Sequence, residues 1–513
     1  DSVQREQLRE ASLSVPTFTR MVTNPANNIN TVDSVDGDFL QQYLENGSRR
    51  NYRSMLNYIR KFIDGKKFRS VEPDVVEQRP DNMLLHIDPK NPDDDELGFN
   101  TVGEYNAFLR QNGLYREKAP SIIVTGMMGV ASSLVDGFER QGFMVYRVNR
   151  LKEFVMAHHI DSVRPAAVIN MAHGRVGDYL VQYLEKANIP MFAPLNANQL
   201  VDKWQNDKQG MMGGFMSQSI VVPEIDGAIR PYVVFAHRVG KDGLHEAFAV
   251  PERLDAFIKT VSNYVRLQSK PNARKRVAIY YYKGPGSSAI TASGMEVAPS
   301  LYNVLKRLRS EGYNLNGLPQ NADQLEKGIQ QHSYDHKPMI FGNVALLPQL
   351  MSGEGTDSFK IIHGTNQDPP QAYIRSYQWT QRQFKADALI HFGTHGSLEY
   401  TPRKQVALSS NDWPDRLVGT LPHFYIYTIG NVGEAMIAKR RSYAQIQSHL
   451  TPPFMQSELR QTYAKLEDAI EQYNKEMQNT DNRPTPASQR AALKVKRLTV
   501  EMNIDRDLGL DRK

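Results

Sequence analysis

Cysteine is absent from the 513 residues, which removes disulfides, thiolate metal sites, iron–sulfur clusters and cysteine nucleophiles together. Any metal chemistry must come from His, Asp, Glu or the atoms of a ligand. No run of about 18 apolar residues occurs, so no segment reads as a membrane span. Neither sign of charge dominates: 62 basic against 56 acidic residues leave a formal +6, too even a balance to imply nucleic acid. Nor is there an aromatic-plus-basic nucleic-acid module, a Walker lysine spacing or a dinucleotide GxGxxG fingerprint. The acid run Asp93-Asp-Asp-Glu96 lacks EF-hand spacing and reads as part of a Pro- and Asp-rich surface loop over 81–100. A signal-peptide pattern is also missing and the chain opens at Asp1, so the native start is expected to have been removed or to lie upstream.

What is present is a globular composition, 40% apolar and 23% charged, over a length that predicts about three or four domains. Phe39, Leu40, Tyr43 and Leu44, then Met55, Leu56, Ile59, Phe62 and Ile63, recur at helical spacing, with Asn46-Gly47 as the break. From Pro120 the pattern becomes strand, turn, helix, strand, as a parallel sheet with crossover helices requires. Ser121–Thr125, Met144–Val148, Ala166–Asn170 and Pro190–Ala193 read as strands, with helices over Ala131–Gln141 and Tyr179–Ala187. Val222–Gly227 and Tyr232–Phe235 read as a strand leaving this sheet, and Leu254–Leu267 as a linking helix. A second unit opens at Arg276-Val-Ala-Ile-Tyr-Tyr281, passes through the loop Lys283-Gly-Pro-Gly-Ser-Ser288 into a helix carrying Leu301, Leu305 and Leu308, and adds the strand Ala388–Phe392.

Leu459, Tyr463, Leu466, Ile470, Tyr473 and Met477 then mark a long amphipathic helix whose narrow stripe needs a partner. The expected fold is α/β: repeated Rossmann-like parallel-sheet domains with a helical N-terminal segment and a helical C-terminal segment. Boundaries are expected at 1–115, 116–270, 271–453 and 454–513. The charged end without a closing element suggests a polypeptide that continues.

The densest chemistry follows the strand Ala388–Phe392. Ligands of open α/β sheets gather beyond strand carboxyl ends, and His395 stands there between two glycines that admit a bulky ligand. Glu399 follows four residues on. Imidazole beside carboxylate accepts protons from pyrrole-type nitrogens and holds a divalent cation. Around them lie His391, Thr394, Arg403, Lys404, His423, Asn431, Glu434, Lys439, Arg440 and Arg441, with Trp413, Phe424, Tyr425 and Tyr427 between. Aromatic faces with a cationic rim suit a macrocycle bearing carboxylate arms.

These segments resemble a known family. Gly393-Thr-His-Gly-Ser-Leu-Glu-Tyr-Thr-Pro-Arg-Lys-Gln-Val406, Trp413-Pro-Asp415, Leu421-Pro-His-Phe-Tyr-Ile-Tyr427, Asn431-Val-Gly-Glu434, Ala438-Lys-Arg-Arg-Ser-Tyr-Ala444 and His449-Leu-Thr-Pro-Pro453 are similar, in order and spacing, to the CobN/magnesium-chelatase H family of large chelatase subunits. The likeness runs over roughly residues 120 to 455. It implies a large subunit that binds a tetrapyrrole (porphyrin, haem or corrin) and exchanges a divalent metal (cobalt, magnesium or iron). ATP would be used on separate AAA+ type partner subunits. By position, Glu399 would be the essential carboxylate and His395 its neighbour at the metal entry, both as metal ligands. His391, Thr394, Arg403, Lys404, Asn431, Glu434, Lys439, Arg440 and His173 would contact the ring, and His173, His363 and His423 are candidate axial ligands.

The chain departs from the family pattern at Arg403, where glycine is usual in a Pro-Gly-Lys triplet, and at Ala407, where glycine is common. An arginine there favours an anionic macrocycle arm over a bare cation, which brings in the haem-uptake, HmuS-type branch and iron removal. Cytoplasmic placement follows from the biosynthetic reading, periplasmic or envelope placement from haem uptake. A non-catalytic tetrapyrrole carrier is the alternative, and a sugar- or nucleotide-binding α/β protein using Gly284-Pro-Gly286 ranks last.

Overall fold

The computed structural model describes residues 2–20, 25–66, 68, 70–78, 84–90, 96–126, 130–172, 174–282, 291–292, 295–332, 337–351, 368–393, 398–428, 432–449, 458–480, 483–502 and 504–507. They fall into two compact units, 1–449 and 450–513.

The first unit carries two sheets with parallel cores. In one, Met144–Val148, Ser121–Gly126, Ala167–Met171, Met191–Phe192 and Ala228–Ile229 run parallel in that spatial order. In the other, Val344–Pro348, Val277–Tyr281, Ala388–Gly393, His423–Thr428 and Gln445–His449 do the same, with Met339–Phe341 antiparallel at the edge. Strands covered on both faces read as unbroken apolar runs rather than alternations, which is why Ile122–Val124 and Val277–Tyr281 are legible in the sequence. Alternation then sorts the faces. Val277, Ile279, Tyr281 and Phe392 pack with Leu301 and Leu305 of the helix Val297–Ser310. Ala278, Tyr280 and Leu389 share one cluster with Ile122, Val124 and Ile169 of the first sheet and with Phe257, Ile258 and Val261 of the helix Pro251–Ser269. The core therefore runs through both α/β halves.

Two expectations need correction. The loop expected over 81–100 contains the strands Leu84–His86 and Leu97–Phe99, which extend the first sheet as an antiparallel edge; the acid run itself lies outside the described residues up to Asp95. Three-residue strands among Pro and Asp carry too little alternation to be read. Val222–Ile225 is a helical turn with Pro223 in its first turn, a position that needs no N–H. The strand Val233–Val239 does leave the first sheet, forming a separate three-stranded sheet with Leu195–Leu200 and His245–Ala249.

The edge is pinned by a buried pair: His86 Nε2 lies 2.9 Å from Glu139 Oε1 on the helix Ala131–Arg140. Burial pulls the His86 pKa down, but the Glu139 hydrogen bond, the Ile87 carbonyl and the carboxylate's charge outweigh it, and the net shift is upward. A histidine held more basic in the fold adds stability below its unfolded pKa and loses it as pH rises through the folded value. Thermal stability should therefore fall from about pH 6.5 upward, and His86→Gln should flatten that slope. Melting curves between about pH 6 and 8 check this; equal slopes in both proteins would refute it.

In the second unit the amphipathic helix Glu458–Gln478 pairs with Pro486–Glu501, where Leu466 and Ala469 meet Leu498 and Val495. Thr485 starts the second helix with a reciprocal capping box to Ser488.

Candidate active site

Register builds the site. Tyr280 pairs with His391, and His391 with Tyr425, across three parallel strands, so all three side chains share a face. His423, two residues before Tyr425, joins them. Over this face lies the helix Gln371–Gln378, whose Tyr377 ring stacks on Tyr280 at 4.6 Å.

A directed hydrogen-bond chain results. His423 Nδ1 stands 2.6 Å from the Ser442 carbonyl, which only accepts, so that nitrogen carries the proton. Burial and the charge of Arg230 outweigh that carbonyl and push the His423 pKa down to about 4, so the ring is neutral and Nε2 accepts. His391 Nδ1, 2.6 Å away, donates to it, and His391 Nε2 in turn accepts from the Tyr377 hydroxyl at 2.8 Å. Burial first, then His423, drives His391 well below the usual histidine range. Both rings are fully buried and committed to neighbours. The ring-contact role expected for His391 and the axial role for His423 thus meet side chains already spent inside the sheet.

Glu399 sits on a short 3-10 turn, Leu398–Tyr400, beyond the carboxyl end of Ala388–Gly393, and is fully buried. The Tyr425 hydroxyl donates to its Oε1 at 2.9 Å. Burial, then the Glu399 charge, raises the Tyr425 pKa well above the usual phenol range, which keeps the donor protonated. Tyr400 also feels both Glu399 and Glu434, so the structure draws Glu434 into the same neighbourhood. Tyr425 and Tyr377 are the site residues that motif reading passes over; Tyr377 lies in a helix with no motif.

The expected cationic rim turns largely inward. Lys404 is fully buried, its Nζ 3.1 Å from Ser409 Oγ and 3.4 Å from Asp412 Oδ2. Arg403 reaches the Gln205 carbonyl at 3.0 Å and Asp412 at 3.5 Å, so its guanidinium is turned to these groups. Arg440 pairs with Glu224 at 3.1 Å, and Lys439 is half-buried on the helix Val432–Arg441. His173, His363, Thr394, His395, Asn431 and the Gly284-Pro-Gly286 loop lie outside the described residues. Among the described residues no group of three or more His, Asp and Glu is placed to hold a metal ion.

Both departures from the family pattern carry a backbone signature. Arg403 has φ +87° and Ala407 φ +56°, the left-handed region that glycine enters freely and a Cβ resists. Ala407 makes no side-chain hydrogen bond that a glycine would lose. Ala407→Gly is accordingly expected to stabilise the chain by about 0.5–1 kcal/mol, read as a higher denaturation midpoint; a lower midpoint would refute the strain.

A cavity of about 610 Å³ opens elsewhere, toward the amino ends of the strands, between Met191, Ile229, Tyr264, Phe424 and Gln445. Its described lining holds the acids Glu185 and Asp226 and neither Lys nor Arg, so it does not suit a carboxylate-bearing ring.

A buried carboxylate at a strand end, held by phenol and guanidinium groups within a two-sheet α/β scaffold, defines a site for proton exchange in a dry pocket. The CobN/Magnesium Chelatase family model matches residues 41–339 and 337–513, and the chain belongs to that family. It is 25% identical over 512 residues to the H-type large subunit of the magnesium chelatase of Rhodobacter capsulatus, covering 84% of this chain and 42% of that protein. Identity to the aerobic cobaltochelatase subunit CobN of Pseudomonas aeruginosa is 26% over 369 residues, 60% of this chain and 29% of that one. The catalytic subunit of cobaltochelatase from Mycobacterium tuberculosis has the same fold, with a TM-score of 0.65 at 20% identity over 94% of this chain and 45% of its own. The chain thus spans less than half the length of these relatives. Among the described residues no helix is long and apolar enough to cross a membrane.

Proposed function

We propose that the chain is part of the large tetrapyrrole-binding subunit of a metal chelatase, in which Glu399 takes a ring-nitrogen proton as a divalent metal is exchanged. The observation that carries this reading is the fully buried Glu399 carboxylate, oriented by Tyr425 beyond the strand Ala388–Gly393 in a chain of this family. Insertion releases two protons: the free-base ring gives up its two N–H hydrogens as the cation takes their place. A carboxylate in a water-poor pocket is a fitting acceptor, because burial strengthens its attraction for a proton that a solvated one would pass to water. Tyr425 holds Oε1 in place while the other oxygen completes the carboxylate. His395, in the Gly-Thr-His-Gly turn, is the proposed companion at the metal entry. Glu434 and Lys439 stand at the next remove, and the proposed energy source is ATP hydrolysed on AAA+ type partner subunits.

The metal is cobalt or magnesium if inserted, iron if removed. Arg403 bears less on this choice than its sequence position implies, since its guanidinium is turned to Gln205 and Asp412. Absorption titration with haem, protoporphyrin and a corrin tests the reading. A saturable spectral shift with one of them is expected, and no shift with any ring would sink it. A ring that binds but keeps its metallation unchanged in the presence of the ATPase partners would instead favour a carrier.

A further inference from the structure

The run Lys439-Arg440-Arg441 is a solvated cationic patch by sequence, yet its last member is only 4% exposed. Arg441 Nε donates to the Lys404 carbonyl at 2.8 Å, one terminal nitrogen to the Glu399 carbonyl and the other to the Thr401 carbonyl. One guanidinium thus gathers three backbone acceptors from six consecutive residues of the loop that carries Glu399. Among the described residues no carboxylate lies within ion-pairing distance of it; its charge is balanced through space by Asp412 and Glu399. Desolvation brings its pKa down to about 10 despite those two acids.

Burying a cation without a contacting anion is costly, and an apolar side chain of similar volume fills space as well. What a guanidinium adds is a rigid planar fork whose donors point in fixed directions. The loop needs such a holder, because Arg403 and Ala407 both sit at left-handed φ and the backbone between them does not settle there unaided. Arg441 fixes the peptide of Glu399, and Tyr425 fixes its carboxylate. The residue is thereby held at both ends.

We propose that Arg441 is the positioning residue of the site: it touches neither ring nor metal, and it sets where the Glu399 carboxylate stands by clamping the carbonyls of residues 399, 401 and 404. This rests on the reading of Glu399 as proton acceptor.

The test uses the full-length polypeptide with its ATPase partners and the variants Arg441→Lys, Arg441→Ala and Glu399→Gln. Ring affinity is measured by absorbance and kcat by metal exchange at saturating ring. A misplaced carboxylate costs on the order of 10²-fold in rate, so Arg441→Ala should lose about that much in kcat while ring affinity stays within about threefold. Arg441→Lys, with one point charge in place of the fork, should recover little, and added guanidinium should restore part of the Arg441→Ala rate. Wild-type kcat in folded Arg441→Lys overturns the proposal, as does a rate loss matched by an equal loss of ring binding. If Arg441→Ala does not fold, Arg441→Lys decides alone. A full rate in Glu399→Gln would bring down the functional reading itself, whatever Arg441 does.

Discussion

Asp415→Ala should lower the stability of the first unit by about 3–5 kcal/mol, the usual cost of removing one partner from a buried ion pair. Asp415 receives both terminal nitrogens of Arg253, at 2.7 and 3.0 Å, and the Tyr443 hydroxyl at 2.5 Å. Arg253 also donates to the Val233 and Leu408 carbonyls and stacks over Tyr232 at 3.7 Å. Removing the carboxylate would leave a guanidinium, only 2% exposed, without its counter-ion. Urea denaturation followed by circular dichroism measures the effect. A loss under about 1 kcal/mol would mean that the pair is weaker than its geometry implies. Arg253→Leu with Asp415→Leu, which removes both charges, should recover much of the loss.

Glu399→Gln should have the largest effect on activity: a fall in metal exchange of about 10²–10⁴-fold, the span that one positioned proton acceptor supplies. Glutamine keeps the shape and still accepts from Tyr425, so ring affinity and the unfolding midpoint should stay near wild type. Rate, affinity and stability measured on one preparation separate lost chemistry from lost structure. Exchange within tenfold of wild type would remove Glu399 from the proton path.

How much of the molecule is legible in its sequence depends on what each residue has to signal. Buried parallel strands announce themselves as apolar runs, and the helix Pro251–Ser269 shows its face by spacing. Strands of two or three residues, such as Leu84–His86 and Ala228–Ile229, are too short to show a period. At the site, composition locates the neighbourhood and leaves orientation undetermined. Glu399, His391, Lys404 and Arg441 are expected at a ligand surface, and all four are buried, because sheet register and helix phase decide direction. For Arg441 a signal exists. Buried Ala435 and Ala438 precede it at three-residue intervals, which places position 441 on the inward face of its helix. Tyr377 has no such marker; only strand pairing brings His391 beneath it.

The helix Pro251–Ser269, expected to link two separate domains, instead buries Leu254, Phe257, Ile258, Val261, Tyr264 and Val265 in the cluster that both sheets share. A hinge there would expose a large apolar area at about 25 cal/mol per Å², a barrier that rocking motions do not cross. The two halves should therefore melt together as one cooperative foldon, with amides of that helix among the slowest to exchange. Any opening that admits a macrocycle to Glu399 must come from the loops around the site, with the sheets staying fixed.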